Sequence, residues 1–267
     1  MPVSEGISFT LNSVIDFEDQ ALARRVLGRM MEAPGPREPK RYGLFEPVDQ
    51  RIVFRNIDPL IGLWLNRGTP DNPTDRREGG LLLRSASAAG YQISWQKDSQ
   101  PSFSFVGGDV GGSVVRSNPE VLDDLLSLVK DLVSEVRPVY GEVRNPAITG
   151  WDLPFNLQKR LPDIPWISIY GPAYVNLFGT DAVRSAPFRR VVDLPNDYVW
   201  AQVTESPFDA VTPQVKEQIR KHLGEDAFMS HGRWRYTDGR APTFDFSAVL
   251  LPAARSAQAT SKPSKRR

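Results

Sequence analysis

The longest periodic pattern in the chain lies between Ser117 and Pro138. Val121, Leu122, Leu125, Leu126, Val129, Leu132, Val133 and Val136 recur every three or four residues, which places them on one face of a helix. Ser117 or Asn118 can cap it, Pro119 suits its first position, Asp123 and Asp124 lie in its early turns, and Pro138 ends it. A second helix is predicted over 17–33, where Phe17, Ala21, Leu22, Val26, Leu27, Met30 and Met31 keep the same spacing and Asp16 is the expected N-cap. A third, over 212–223, stops at Gly224.

Elsewhere the period falls to two. Tyr91, Ile93 and Trp95 alternate with Gln92, Ser94 and Gln96, as in an antiparallel strand with one buried face. Residues 6–15 and 197–206 read as strands, and so do the short runs RIVFRN, LIGLWLNRG, GGLLLRSAS and PSFSFVGG, separated by Gly, Pro, Asn or Asp. VYGEVRN and RRVVDL extend the series, and the polar stretch 69–80 is expected to be a mobile connection. The stretch PWISIYGPAYVNLFG, 165–179, reads as a strand broken by Gly171-Pro172, then a short helix stopped by Gly179. Strands in groups with a few helices give an α+β class, mostly antiparallel sheet with packed amphipathic helices, rather than alternating βαβ units. One domain is expected over 1–252, divisible into halves at about 144 and 145.

Composition narrows the function classes. With 40% hydrophobic and 24% charged residues, the chain is an ordinary globular protein of 267 residues. The absence of cysteine removes disulfides, thiolate catalysis and cysteine-based metal sites, and suits a reducing compartment. No secretory signal and no run approaching ~18 apolar residues is visible, so a cytoplasmic protein without membrane contact is expected. The tail 253–267 holds five basic residues and reads as disordered. Without it, 28 basic residues face 32 acidic ones, a net charge near −4, so direct nucleic-acid binding is not expected.

Candidate chemistry is sparse. His222 and His231 stand in no metal-ligand spacing, no G-x-S-x-G elbow occurs, and VGGDVGGS at 106–113 lacks the lysine and the spacing of a phosphate loop, so it reads as a flexible turn. No cofactor, metal or catalytic residue is predicted. Asp193, Asp197, Glu205 and Asp209 flank the strand 197–206 and suggest an acidic rim around Tyr198 and Trp200 for a basic partner. Trp151 and Trp234, in turn-rich surroundings, are the tryptophans least explained by a core and join the acids as candidate contacts. A binding protein is the first expectation. The alternatives are an enzyme with a nucleotide or small-acid site near Asp109 and the 106–113 glycines, and a scaffold or secretion adaptor that binds without inhibiting.

The order SFSFVGG, long capped helix, VRPVYGEV, PWISIYGPAYVNLFG and VWAQVTESPFD resembles bacterial immunity proteins encoded beside polymorphic toxins, the immunity protein 52 family in particular and type VI secretion immunity families more loosely. The matching positions are Trp166, Gly171, Gly179, Thr204, Phe208 and Asp209, within residues 100–209. The resemblance implies a protein without catalytic residues. It would neutralise a cognate toxin domain, a nuclease of restriction-endonuclease type, in a 1:1 complex or a 2:2 complex built on a homodimer.

Overall fold

The computed structural model describes residues 5–32, 37–65, 77–86, 89–149, 155–229 and 238–251. The tail 253–267 and His231 lie outside the described residues, as does the connection from 69 to 76. The architecture is mixed α+β: one ten-stranded sheet with every adjacent pair antiparallel, and eight α-helices among the described residues.

The sheet is ordered β3-β2-β4-β5-β6-β1-β7-β8-β10-β9. Its N-terminal end consists of β2 (Pro39–Gly43), β3 (Gln50–Arg51), β4 (Arg77–Ser85), β5 (Ala89–Lys97) and β6 (Ser104–Gly111). The first strand, β1 (Gly6–Ser13), lies in the middle, between β6 and β7 (Tyr140–Arg144). Beyond β7 come β8 (Ile167–Tyr170), β10 (Tyr198–Gln202) and the edge strand β9 (Arg190–Leu194).

Register sorts the side chains into two faces. On one face Ile7, Phe9 and Leu11 of β1 join Leu81, Leu83, Tyr91, Ile93, Trp95, Val106, Val143, Ile167, Ile169 and Trp200 in a core that runs the length of the sheet. It is covered by α1 (Gln20–Met31), α2 (Asp58–Leu65), α3 (Gly112–Ser117) and α4 (Glu120–Val136). Helices α1 and α4 are tied across the top by Arg25 and Glu135 at 2.7 Å. On the other face a second core builds on Tyr140, Tyr170, Val199 and Ala201 under α6 (Pro172–Phe178), α7 (Thr180–Ser185) and α8 (Pro213–Leu223). Helix α5 (Pro146–Thr149) follows β7. The same face of β4, β5 and β6 carries no helix among the described residues, and Gln92 and Asp109 on it are exposed.

Several boundaries differ from expectation. The first helix starts at Gln20 and its cap is Asp19, whose carboxylate accepts from the Ala21 N–H at 2.8 Å; Asp16 instead pairs with Lys97. The helix expected over 117–138 is α4, opened by Asn118, which accepts from the Glu120 N–H; the short α3, not expected, precedes it and ends at Ser117. Arg137 lies just past α4 in the left-handed region, φ 45°. LIGLWL, expected as a strand, is α2: its apolar residues are too few to separate the two periods, and the Asn56 carboxamide accepting from the Asp58 N–H, ahead of Pro59, sets a helix start. RIVFRN keeps only Arg51 in a strand.

The largest correction concerns the glycines. VGGDVGGS is not a flexible turn: Val106 to Gly111 are the body of β6, paired on both sides with β1 and β5. Glycine is required by close approach. A Cβ on Gly108 would lie 2.7 Å from the Phe9 ring, 2.7 Å from the Tyr91 ring and 2.8 Å from the Gly90 carbonyl oxygen.

Candidate protein-binding surface

The corner at 165–179 forms as expected. Trp166 and Ile169 are buried, Gly171 stands at the N-cap of α6 with Pro172 at its first position, and Gly179 closes it at φ +88°. Gly171 sits hard against the preceding connection, where a Cβ would lie 2.5 Å from the Pro138 carbonyl oxygen and 2.8 Å from that of Val139. Two of the polar side chains here bond to backbone carbonyls inside the protein, whereas the Ser168 and Tyr170 hydroxyls are buried with no hydrogen-bond partner among the described residues. The Trp166 indole N–H donates to the Thr204 carbonyl at 2.9 Å, and Tyr174 donates to the Leu157 carbonyl at 3.0 Å. Burial pushes the Tyr140 and Tyr174 hydroxyls above the ordinary phenol range; the Glu142 charge adds to the effect at Tyr140, and Tyr170 adds to it at Tyr174. These groups are held as neutral phenols, not as proton acceptors.

The residues that carried the family resemblance belong to this scaffold. Thr204 donates to the Ser206 carbonyl, the Ser206 N–H donates to the Asp209 carboxylate at 3.0 Å, and Phe208 lies under the Arg116 guanidinium at 4.2 Å. Asp209 is therefore a turn-closing residue. The other predicted acids stand apart. Asp193 on β9 pairs with Arg184 at 2.9 Å, and Glu205 pairs with Arg189 at 2.7 Å. Asp197 sits at φ 61° in the turn between β9 and β10. Asp193 and Asp197 lie at one end of β10 while Glu205 and Asp209 lie beyond the other, on the order of 20 Å apart by strand rise, so the four acids do not gather into one patch. Trp151 and Trp234 lie outside the described residues.

One side-chain pair has the look of a catalytic dyad. Ser185 Oγ is 3.2 Å from His222 Nε2, but the same nitrogen is 3.0 Å from the Ala182 carbonyl oxygen. A carbonyl only accepts, so Nε2 carries the proton and is unable to take one from Ser185. Among the described residues no group of three or more His, Asp or Glu could hold a metal ion, and no helix is long and apolar enough to cross a membrane.

The least satisfied surface lies at the opposite end of the sheet. Four of the five large apolar side chains that the described residues expose fall between β2 and α2: Leu44, Phe45, Val53 and Phe54, the last 98% exposed. Phe54 and Arg55 are both in the left-handed region, at φ 51° and 54°, a conformation that a bulky non-glycine residue rarely adopts. Phe54 helps line a cleft of about 390 Å³, together with Met31, Glu38, Pro39, Lys40, Ile52 and Arg55. Glu38 takes both Lys40 and Arg55 as partners, and these charges hold its carboxyl below the usual range, the Lys40 hydrogen bond most of all.

The open face next to this patch carries a row of arginines. Arg51 of β3 stands opposite Arg41 of β2, and Arg41 opposite Arg84 of β4. Gly90 has no side chain, so Arg84 lies across it toward Asp109 at 3.9 Å, and also pairs with Glu46 at 2.5 Å. Partial burial raises the Asp109 carboxyl pKa, Arg84 lowers it, and Glu46 raises it further.

The fold has a solved counterpart. The chain is similar to the structure of the Pseudomonas aeruginosa T6SS protein PA0821, with a TM-score of 0.54 and 14% sequence identity, covering 97% of this chain and 87% of that one. At such identity the likeness establishes the fold alone. No family model matches the chain, and no curated protein matches it.

The hairpin patch was missed from sequence because RIVFRN read as an ordinary strand and PGPREPKRYG, 34–43, as an extended basic loop that three prolines keep from being helical, whereas Pro39–Gly43 is strand β2. The available signal was the truncation of alternation at QRIVFRN, where Ile52, Val53 and Phe54 are consecutive and cannot all face one core.

Proposed function

We propose that the chain is an immunity protein of a type VI secretion system. It binds a cognate toxin domain, a nuclease of restriction-endonuclease type, inside the producing cell and neutralises it by covering the active site or the substrate surface. One observation carries this reading: the likeness to a type VI secretion protein extends over nearly the whole chain, beyond the 100–209 region in which the sequence resembles toxin-immunity families. An exposed apolar cluster beside charged residues is the anatomy of a protein-binding surface, which supports binding rather than catalysis as the activity. The enzyme alternative placed a nucleotide or small-acid site near Asp109 and the 106–113 glycines, of which residues 106–111 belong to the paired strand β6 and 112–113 begin α3.

The test is co-expression with the toxin domain encoded beside this chain, in a host that the toxin kills. Restored growth, a co-purifying complex and suppressed nuclease activity are expected. A complex with full nuclease activity would favour the adaptor reading, and no complex with both proteins folded would overturn the proposal.

A further inference from the structure

We infer that the β2–β3 hairpin is the docking surface for an acidic face of the toxin. Phe45 and Phe54 enter apolar pockets there, and Arg41 and Arg51 pair with its carboxylates. The inference rests on the immunity reading and specifies which surface of this chain meets the toxin and what chemistry it meets.

Two independent features converge on it. The first is charge. Directly opposed side chains in an antiparallel pair stand with their Cβ atoms about 5 Å apart, and like charges there are destabilising. The arrangement Arg51–Arg41–Arg84 places three cations in one row across β3, β2 and β4. Arg84 is neutralised by Glu46 and Asp109. Arg41 and Arg51 are exposed and make no ion pair among the described residues, and Asp49, just ahead of β3, pairs with neither. Two uncompensated guanidiniums side by side are planar donors awaiting carboxylates, which they bind in bidentate fashion.

The second feature is apolar exposure. Phe54 is held almost wholly in water in a left-handed backbone conformation, so both its ring and its dihedral angles are unfavourable in the free protein. Aromatic and arginine side chains together are the composition of an interface hot spot. The cleft that Phe54 helps line receives a side chain of the partner in return. A basic toxin face, which the scattered acids near β10 first suggested, would meet repulsion from this row.

The probe is the purified toxin domain encoded beside this chain, titrated against the full-length protein by calorimetry. Arg51→Glu replaces a like-charge pair with a cross-strand Arg41–Glu pair, so its melting temperature should be unchanged or raised. Phe54→Asn puts a residue that tolerates the left-handed region in place of the ring and should also fold at least as well. Both variants should nevertheless bind about 30-fold or more weakly. Binding by the original protein should weaken with added salt more than binding by Arg51→Glu, since the arginine pair supplies much of the charge attraction.

A merely structural role for these residues would make affinity follow stability; affinity should instead fall while stability holds or rises. If the original protein binds and neutralises the toxin but Arg51→Glu and Phe54→Asn bind equally tightly, the surface is wrong while the immunity reading stands. If the original protein does not bind, both fall.

Discussion

The two ends of the sheet treat similar residues in opposite ways. At the β8–α6 corner, aromatic rings and polar groups are packed from both faces: Trp166, Tyr140, Tyr170 and Tyr174 are buried, and the indole of Trp166 and the hydroxyl of Tyr174 donate to backbone carbonyls. At the β2–β3 hairpin, Phe45 and Phe54 are left in water and two arginines face each other with no ion-pair carboxylate among the described residues. The first arrangement lowers the free energy of the isolated chain. The second, with exposed rings and opposed like charges, raises it. Aromatic content alone does not mark a binding site; what distinguishes the hairpin is that its rings are exposed and its two opposed arginines have no ion-pair partner among the described residues.

The difference is sharpest for Trp166→Ala. It removes a ring that is 2% exposed together with its hydrogen bond to the Thr204 carbonyl. A loss of about 3–5 kcal/mol in unfolding free energy is expected, read from denaturant titration. A fully stable variant with lost toxin binding would move the interface to the corner and invert the comparison.

Gly171→Ala tests the same corner more finely. The backbone angles at Gly171 suit any residue, φ −76°, so only space is at issue. The new methyl would approach the Pro138 and Val139 carbonyl oxygens at 2.5 and 2.8 Å, and backbone atoms do not swing aside as a side chain would. Destabilisation by about 1–3 kcal/mol is expected in the same titration. An unchanged midpoint would mean that the turn into α6 is looser than the corner's packing requires.

This corner is also where the sequence was most readable, and the contrast with the rest is physical. A strand, a Gly-Pro break and a Gly-stopped helix are all encoded within 15 neighbouring residues, so local rules suffice. The long helix was equally local, its face written in Val121 through Val136. The glycines of β6 were misread because their reason is not local: Gly108 is glycine on account of Phe9 and Tyr91, which come from strands on either side. The arginine row is invisible for the same cause. Arg41, Arg51 and Arg84 become neighbours only through register, and nothing near Arg41 in sequence announces Arg84. The acidic rim shows the reverse error, since residues close along the chain were separated by the length of β10 or bound to nearby arginines.

The smallest expected effect belongs to the hairpin itself. Phe45 is 79% exposed, so Phe45→Ser removes little buried surface and should change unfolding free energy by under about 0.5 kcal/mol. Side by side with Trp166→Ala in one denaturant series, it compares two aromatic residues of one sheet that differ chiefly in what surrounds them. If Phe45→Ser proved as costly as a core truncation, the Phe45 ring would be covered by this chain's own residues. The hairpin's apolar groups would then be part of the fold, and the hairpin would no longer differ from the corner in this respect. If stability holds and toxin binding falls, the ring has no role in the free protein and is kept exposed for the complex.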